Sequence, residues 1–314
     1  MVKVLIVCSG TKGELNKFVK EQMDSLEKLG ISIVLFQIYN EGILGYLFHR
    51  NSLKRLIREE KPDIVHAHYG LSGLLANLQR LVPVVTTFHG SDINNHYILY
   101  LSRLTHRLSS ASIFVSEDLK RKVPDRGTSY IIPCGVDMQI FRQLPPNEKV
   151  LPKIVDNESI NILFSSRFTN QVKNAELAKK GCDLLEKIVH RKINLIELDG
   201  YSRNEVLQLI NAVECILLTS FSEGSPQIIK EAMACNCPVV ATDVGDISYL
   251  IGDTEGCFLC NFDPADVTRK LKSAIDHSER IGATQGRQRV IKLKLDSENI
   301  AKRIVKVYCR VLKQ

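Results

Sequence analysis

Two glutamates eight positions apart, Glu223 and Glu231, stand in "SFSEGSPQIIKEAMACNCPVV", the stretch 220–240. The preceding "ECILLTS" reads as a strand, "FSEG" as a turn, and Ser225 with Pro226 as an N-cap followed by proline at the first helical position. A helix is expected from Pro226 to about Cys235. Its N-terminus would present backbone N–H groups and the positive end of the helix dipole, which suits an anion, and Gly224 would let that backbone approach a ligand closely. Glu223 then lies in the loop and Glu231 two turns in, about 8 Å farther along the helix. Two carboxylates so spaced suit two ends of one elongated ligand, one near a sugar and phosphate, one near a ribose diol. A capped helix with two solvated glutamates accounts for the same letters.

The elements that must position this stretch repeat along the chain. Short β-branched runs alternate with helical patterns in two successive halves, as in stacked βα units with parallel sheets. "VKVLIVCSG", "ISIVLFQI", "DIVHAH", "PVVTTFH" and "ASIFVS" are strands of the first half. Between the first two, Leu15, Phe18, Val19, Gln22, Met23, Leu26 and Leu29 follow helical spacing, with Gly30 as a stop. "RQLPPNEKVLPKIVDNE", 142–158, carries three prolines and reads as a linker. "INILFSSR", a helix near 174–189, "INLIELDG", "ECILLTS" and "CPVVATD" rebuild the pattern, and 297–312 forms a last helix with Ile300, Ile304, Val307 and Val311 on one face. The expected domains are 1–143, a linker 144–158, 159–296, and a terminal helix 297–314 packing back on the first domain. Ligands of such sheets sit at the carboxyl ends of strands.

The composition narrows the class. With 44% hydrophobic and 25% charged residues in 314, the chain is globular, and no apolar run approaches the roughly 20 residues of a membrane-spanning helix. "MVKVLIVCSG" is too short and strand-like for a secretory signal, so a cytoplasmic protein is expected. Nine scattered cysteines fit a reducing compartment. Cys235 with Cys237 and Cys257 with Cys260 suggest zinc by spacing, but "GCFLCNF" reads as a strand with its two thiols on opposite faces, and buried thiols are the preferred reading. The net charge is +7, and residues 1–150 hold 19 Lys and Arg against 14 Asp and Glu. That basic half suits an anionic partner: a membrane face, a lipid-linked phosphate or, ranked last for want of interleaved aromatics, nucleic acid.

"EGSPQIIKEAMACNCPVVATDVGDISYLI" resembles the Glu-x7-Glu signature of the retaining glycosyltransferases of family 4. "HAHYGLSGLLA", "PVVTTFHGSD", "FVSEDLKRKV" and "IPCGVDMQIF" extend the resemblance over nearly the entire chain. It implies the GT-B fold: α/β, two facing Rossmann-like, doubly wound parallel-sheet domains with a cleft between them. It implies sugar transfer from a nucleotide-diphosphate sugar, UDP- or GDP-linked, to a glycan or lipid-linked glycan acceptor in surface polysaccharide biosynthesis. Carried over, Glu223 sits near the donor sugar, and Gly224, Ser225, Gln227 and Ile228 bind the donor through the backbone beside it. Glu231 takes the ribose hydroxyls, and Arg167 and Lys173 neutralise the departing diphosphate. His89 faces the donor sugar, while Gly10 and Gly13 match the glycine-rich loop of the first domain, a weak motif without Gly-x-Gly-x-x-Gly. Retention would follow a front-side route in which the departing β-phosphate accepts the acceptor's proton. Asp92 is only a distant candidate nucleophile. With no Asp-x-Asp to seat a metal on a diphosphate, no metal is expected.

Some features depart from the pattern. Six positions separate Arg167 from Lys173, and "INLIELDGYSRNEVLQLI" leads straight into "ECILLTS", one βα unit short of most relatives. His66 and His68 share one side of a strand, so at least one is expected to pack rather than react. "YLFHRNSLKRLIREEK" sets Leu47, Leu53, Leu56 and Ile57 against Arg50, Lys54, Arg55 and Arg58: an ordinary surface helix, or one docking peripherally on the inner membrane face. A catalytically silent GT-B protein that binds a nucleotide sugar or a partner glycosyltransferase stays open, as does a sugar-nucleotide epimerase.

Overall fold

The computed structural model of the chain describes residues 1–10, 15–39, 45, 46, 48–124 and 127–313. They form two compact units, 1–135 together with 297–314, and 136–296.

The first unit is built on six parallel strands, β1 (Lys3–Ser9), β2 (Ser32–Ile38), β3 (Ile64–His68), β4 (Val84–Phe88), β5 (Ala111–Phe114) and β6 (Ser129–Ile131), in the order β2-β1-β3-β4-β5-β6. Val4 to Cys8 of β1 are all at 0% exposure, because helices cover both faces of a parallel sheet and leave its central strands no polar side. Four of those helices are α1 (Lys17–Glu27), α2 (Arg50–Glu60), α3 (Gly70–Asn77) and α4 (His96–Leu108). The terminal helix Ser297–Val311 packs against α1, its Tyr308 hydroxyl 2.6 Å from His66 Nδ1 under β3.

The second unit has five parallel strands, β7 (Ile160–Phe164), β8 (Ile193–Glu197), β9 (Cys215–Leu218), β10 (Val239–Thr242) and β11 (Cys257–Cys260), in the order β11-β10-β9-β7-β8. Its helices include α5 (Ala175–Val189), α6 (Arg203–Ile210), α7 (Gln227–Ala234) and α8 (Pro264–Ile281). Phe164, Leu217, Ala178, Leu185 and Leu271 lock the sheet to α5 and α8 in one apolar cluster. Between β8 and β9 the only helix among the described residues is α6, eight residues long. The proline-rich segment before β7 lies along it. Asn211, at the end of α6, accepts from Leu144 N and donates to Arg142 O, and Gln208 accepts from Val150 N and donates to Glu148 O.

Strand order reverses between β1 and β3 in one sheet and between β7 and β9 in the other. Loops leaving the two strands on either side of such a point diverge and open a crevice.

Candidate functional site

Beyond β7 the chain turns through Arg167, which is exposed, into a short turn, Gln171–Lys173, that Asn170 caps by accepting from Val172 N. Beyond β9, Thr219 donates its hydroxyl to the carbonyls of Lys173 and Asn174, 2.9 Å from each, and Phe221 N donates to Val172 O. The two loops flanking the reversal are thereby stitched together. Lys173 Nζ and Ser220 Oγ both donate to Glu223 Oε1, each at 2.6 Å, with Lys173 and Glu223 only 19% and 12% exposed. Two residues fifty positions apart meet because their strands are neighbours.

Helix α7 begins one residue later than the sequence suggests. Pro226, not Ser225, holds the cap position, and its ring has no atom that could cap; Ser225 Oγ accepts from Lys230 Nζ at 3.1 Å and bonds to the Asp246 carboxyl. Lys230 is fully buried, and burial pushes the Asp246 carboxyl up to about 6 against the pull of Lys230. Gly245, at φ +64°, lies so close to the Glu223–Gly224 peptide that a Cβ there would come within 2.7 Å of Gly224 O. Gly224 and Ile228 are buried and Gln227 is half-buried. Lys173, Glu223, Gly224, Ser225, Gln227 and Ile228 thus gather around one helix start, with Glu231 on the same helix.

Glu231 is 3% exposed, and its Oε1 accepts from Arg203 Nη1 at 2.7 Å. Sequence reasoning assigned no role to Arg203. The signal was present in Ser202-x-x-Glu205, a capping box that announces a helix with Arg203 at its first position. Burial pushes the thiols of Cys235, Cys257 and Cys260 up to about 12, so they stay protonated.

In the first unit His66, His68 and His89 stack with centroids 4.7 and 5.2 Å apart, and the His89 ring lies 4.7 Å from both Phe18 and Tyr69. His68 Nδ1 is 2.9 Å from His89 Nε2, and His66 Nε2 is 2.7 Å from Thr87 Oγ1. Burial drives His68 down to about 3 and His66 well below its ordinary value, so both stay neutral. They hold the His89 ring in place. Asp92, 3% exposed, accepts from the backbone N–H groups of Gly70, His89 and Gly90, and burial pushes its carboxyl up to about 6. Its oxygens brace the loop. Beside it a cleft of about 330 Å³ is lined by Ser9, Asn16, Tyr46, Tyr69, Asp92 and Asn95 among others. Gly10 N donates to Ile38 O at 3.4 Å, whereas Gly13 lies outside the described residues.

Residues 2–140 match the family described as Glycosyltransferase Family 4, and residues 160–277 match Glycosyl transferases group 1. The uncharacterized glycosyltransferase MJ1178 of Methanocaldococcus jannaschii is 25% identical over 75% of this chain and 72% of its own length. The putative teichuronic acid biosynthesis glycosyltransferase TuaC of Bacillus subtilis is 26% identical over 62% of this chain, which spans only 57% of TuaC. An Escherichia coli protein named UDP-Gal:alpha-D-GlcNAc-diphosphoundecaprenol alpha-1,3-galactosyltransferase is 22% identical, over 82% of this chain and 76% of its own. Among solved structures, sucrose-phosphate synthase from Thermosynechococcus elongatus superposes with a TM-score of 0.77 at 14% identity, covering both chains fully. Anabaena HepE, solved in complex with UDP and glucose, gives 0.71 at 15% identity over 99% of this chain and 100% of that one. At such identities these structures speak to the fold.

Proposed function

We propose the following reaction for this chain, which belongs to glycosyltransferase family 4: it moves a sugar from a nucleoside diphosphate sugar to a hydroxyl of a glycan or lipid-linked glycan, with retention at the anomeric carbon. The observation that carries the reading is the Lys173–Glu223 pair at the strand-order reversal, beside the start of α7 and two turns from Glu231. A cation and a row of backbone N–H groups suit a leaving diphosphate, whose charge grows as the glycosidic bond breaks. Arg167, exposed on the same loop as Lys173, adds a second cation. Glu223 is assigned to the sugar hydroxyls and Glu231 to the ribose diol. His89 is assigned to the donor sugar, and the cleft at Tyr69 and Asp92 to the acceptor. The departing β-phosphate oxygen takes the proton of the attacking hydroxyl, so no enzyme carboxylate need act as nucleophile. A uridine donor is supported by the UDP complex of HepE, and a role in building a surface polymer by the names of TuaC and of the galactosyltransferase.

Radiolabelled UDP- and GDP-sugars, incubated with lipid-linked and polysaccharide acceptors, test this. Transfer is expected from one donor, with an axial donor bond giving an axial product bond by proton NMR. Inversion would remove the front-side route, and release of free sugar without any acceptor product would remove the transferase reading.

A peripheral membrane contact is proposed for the first unit, but not through α2. Leu53 and Ile57 of α2 face the core, Arg55 lies 3.9 Å from Glu59, and Leu47 lies outside the described residues. Helix α4 instead exposes Tyr97, Tyr100 and Leu104 along one stripe, beside Arg107, and contains no acidic residue. Sedimentation with phosphatidylglycerol vesicles at low salt, lost in Tyr97→Ser/Tyr100→Ser, is the expected result. Equal binding by that variant would exclude α4 as the contact.

A further inference from the structure

We infer that Arg203 is a positioning residue for nucleotide recognition: it fixes the Glu231 carboxylate in the orientation that receives the ribose diol. The inference rests on the assignment of Glu231 to the ribose. Its ground is how firmly Arg203 itself is held. The guanidinium sits 4.3 Å from the centroid of the Phe141 ring and donates to Glu231 at 2.7 Å, so an aromatic face and a carboxylate confine it together.

Each of those three groups is fastened in turn. Phe141 is fully buried, and its carbonyl accepts from Arg287 Nη1, the nitrogen that also donates to Ala234 O at the end of α7. Arg287 thereby ties the platform under Arg203 to the helix that carries Glu231. Helix α6, which carries Arg203, is closed at its start by the reciprocal Ser202–Glu205 bonds and at its end by Asn211, bonded to the backbone at 142 and 144. The guanidinium is thus delivered from a short helix pinned at both ends.

The chemistry of a diol explains the use of such a clamp. Two adjacent hydroxyls donate best to a carboxylate that is ionised and held in one plane. Glu231 is 3% exposed, and the charge-assisted bond that it accepts from Arg203 fixes the carboxylate more firmly than a neutral donor would. Arg203 supplies the charge and fixes one oxygen.

Calorimetric titration with UDP, GDP and ADP, each paired with its 2′,3′-dideoxy counterpart, tests this on the full chain. Wild type, Glu231→Ala, Arg203→Gln and Arg203→Lys are compared, with thermal melts as folding controls. For the nucleotide that binds, Arg203→Gln is expected to weaken the ribose form about tenfold, a loss of about 1.4 kcal/mol. The dideoxy form should change less than about twofold, and Arg203→Lys should recover part of the loss, as a point charge without the planar fork does. If Glu231→Ala weakens the ribose form selectively while Arg203→Gln leaves it unchanged, Arg203 has no such role and the ribose assignment stands. Equal loss of both forms in Arg203→Gln would overturn the inference in favour of a general structural role. Glu231→Ala binding both forms like wild type would overturn the ribose assignment and this inference with it.

Discussion

Lys173 and Glu223 are each too enclosed to be treated as a surface ion pair, and Ser220 adds a second donor to the same carboxylate oxygen. Removing one partner strands the other's charge in a poorly hydrated place, which costs more than removing both. Lys173→Met is therefore expected to lower stability by about 2 kcal/mol, and adding Glu223→Gln to restore part of it, a coupling of roughly 1 kcal/mol read from denaturant melts of the four proteins. Additive losses would mean that the pair contributes nothing. The first unit carries a pH dependence of its own. His66 and His68 are neutral when folded, so below their ordinary 6.5 the unfolded chain takes up protons the folded one refuses, and acid lowers stability. Asp92, raised from 3.8 to about 6, acts with the opposite sign: between those values the folded carboxyl holds a proton that the unfolded chain has released. His68→Gln should accordingly flatten the loss of stability between pH 6 and 4 by about 1 kcal/mol per pH unit, and Asp92→Asn should steepen it. Slopes unchanged in both variants would contradict the buried, neutral histidines. At this scale Glu223 and Glu231 were legible because their spacing and neighbours form a dense pattern. Arg203 and the His68–His89 contact were not, since each joins residues on different elements, 28 and 21 positions apart.

The strands of both sheets read easily from β-branched runs of four to seven residues, because parallel strands covered on both faces leave little else to write there. Strand β6 did not: Ser129–Ile131 is a three-residue edge strand with half-buried and exposed side chains, too short for a period. Ser225 followed by Pro226 spells a capped helix, yet the serine hydroxyl serves Lys230 and Asp246 instead, two residues whose burial no local pattern announces. The segment 142–158 reads as a linker because prolines suppress periodicity, and the hydrogen bonds of Leu144 and Val150 to Asn211 and Gln208, about sixty residues ahead, leave no local pattern. The loop from β10 offers a test of how the start of α7 is held. Gly245→Ala places a Cβ against Gly224 O on a backbone already at φ +64°. A stability loss of roughly 1–3 kcal/mol is expected, with weaker nucleotide binding as the Glu223–Gly224 peptide is pushed away. Unchanged melting and affinity would show that the loop is not buttressed there.

Charge is divided unevenly over the whole molecule. The first unit holds 22 Lys and Arg against 13 Asp and Glu, and the second holds 20 against 22. The basic excess, +9 against −2, thus falls on the unit that lacks the Glu223–Glu231 helix. A phosphate site in the second unit must then rest on local geometry, on Lys173 and the amides of α7, rather than on a general positive field. The nucleotide site proposed around α7 is directly measurable. Calorimetric titration of the full chain with UDP, GDP and ADP, beside Glu231→Ala, is the decisive experiment. One nucleoside diphosphate is expected to bind in the micromolar range, about −8 kcal/mol, and the variant to lose about tenfold or more. Binding of none of the three, or binding that Glu231→Ala leaves untouched, would contradict it.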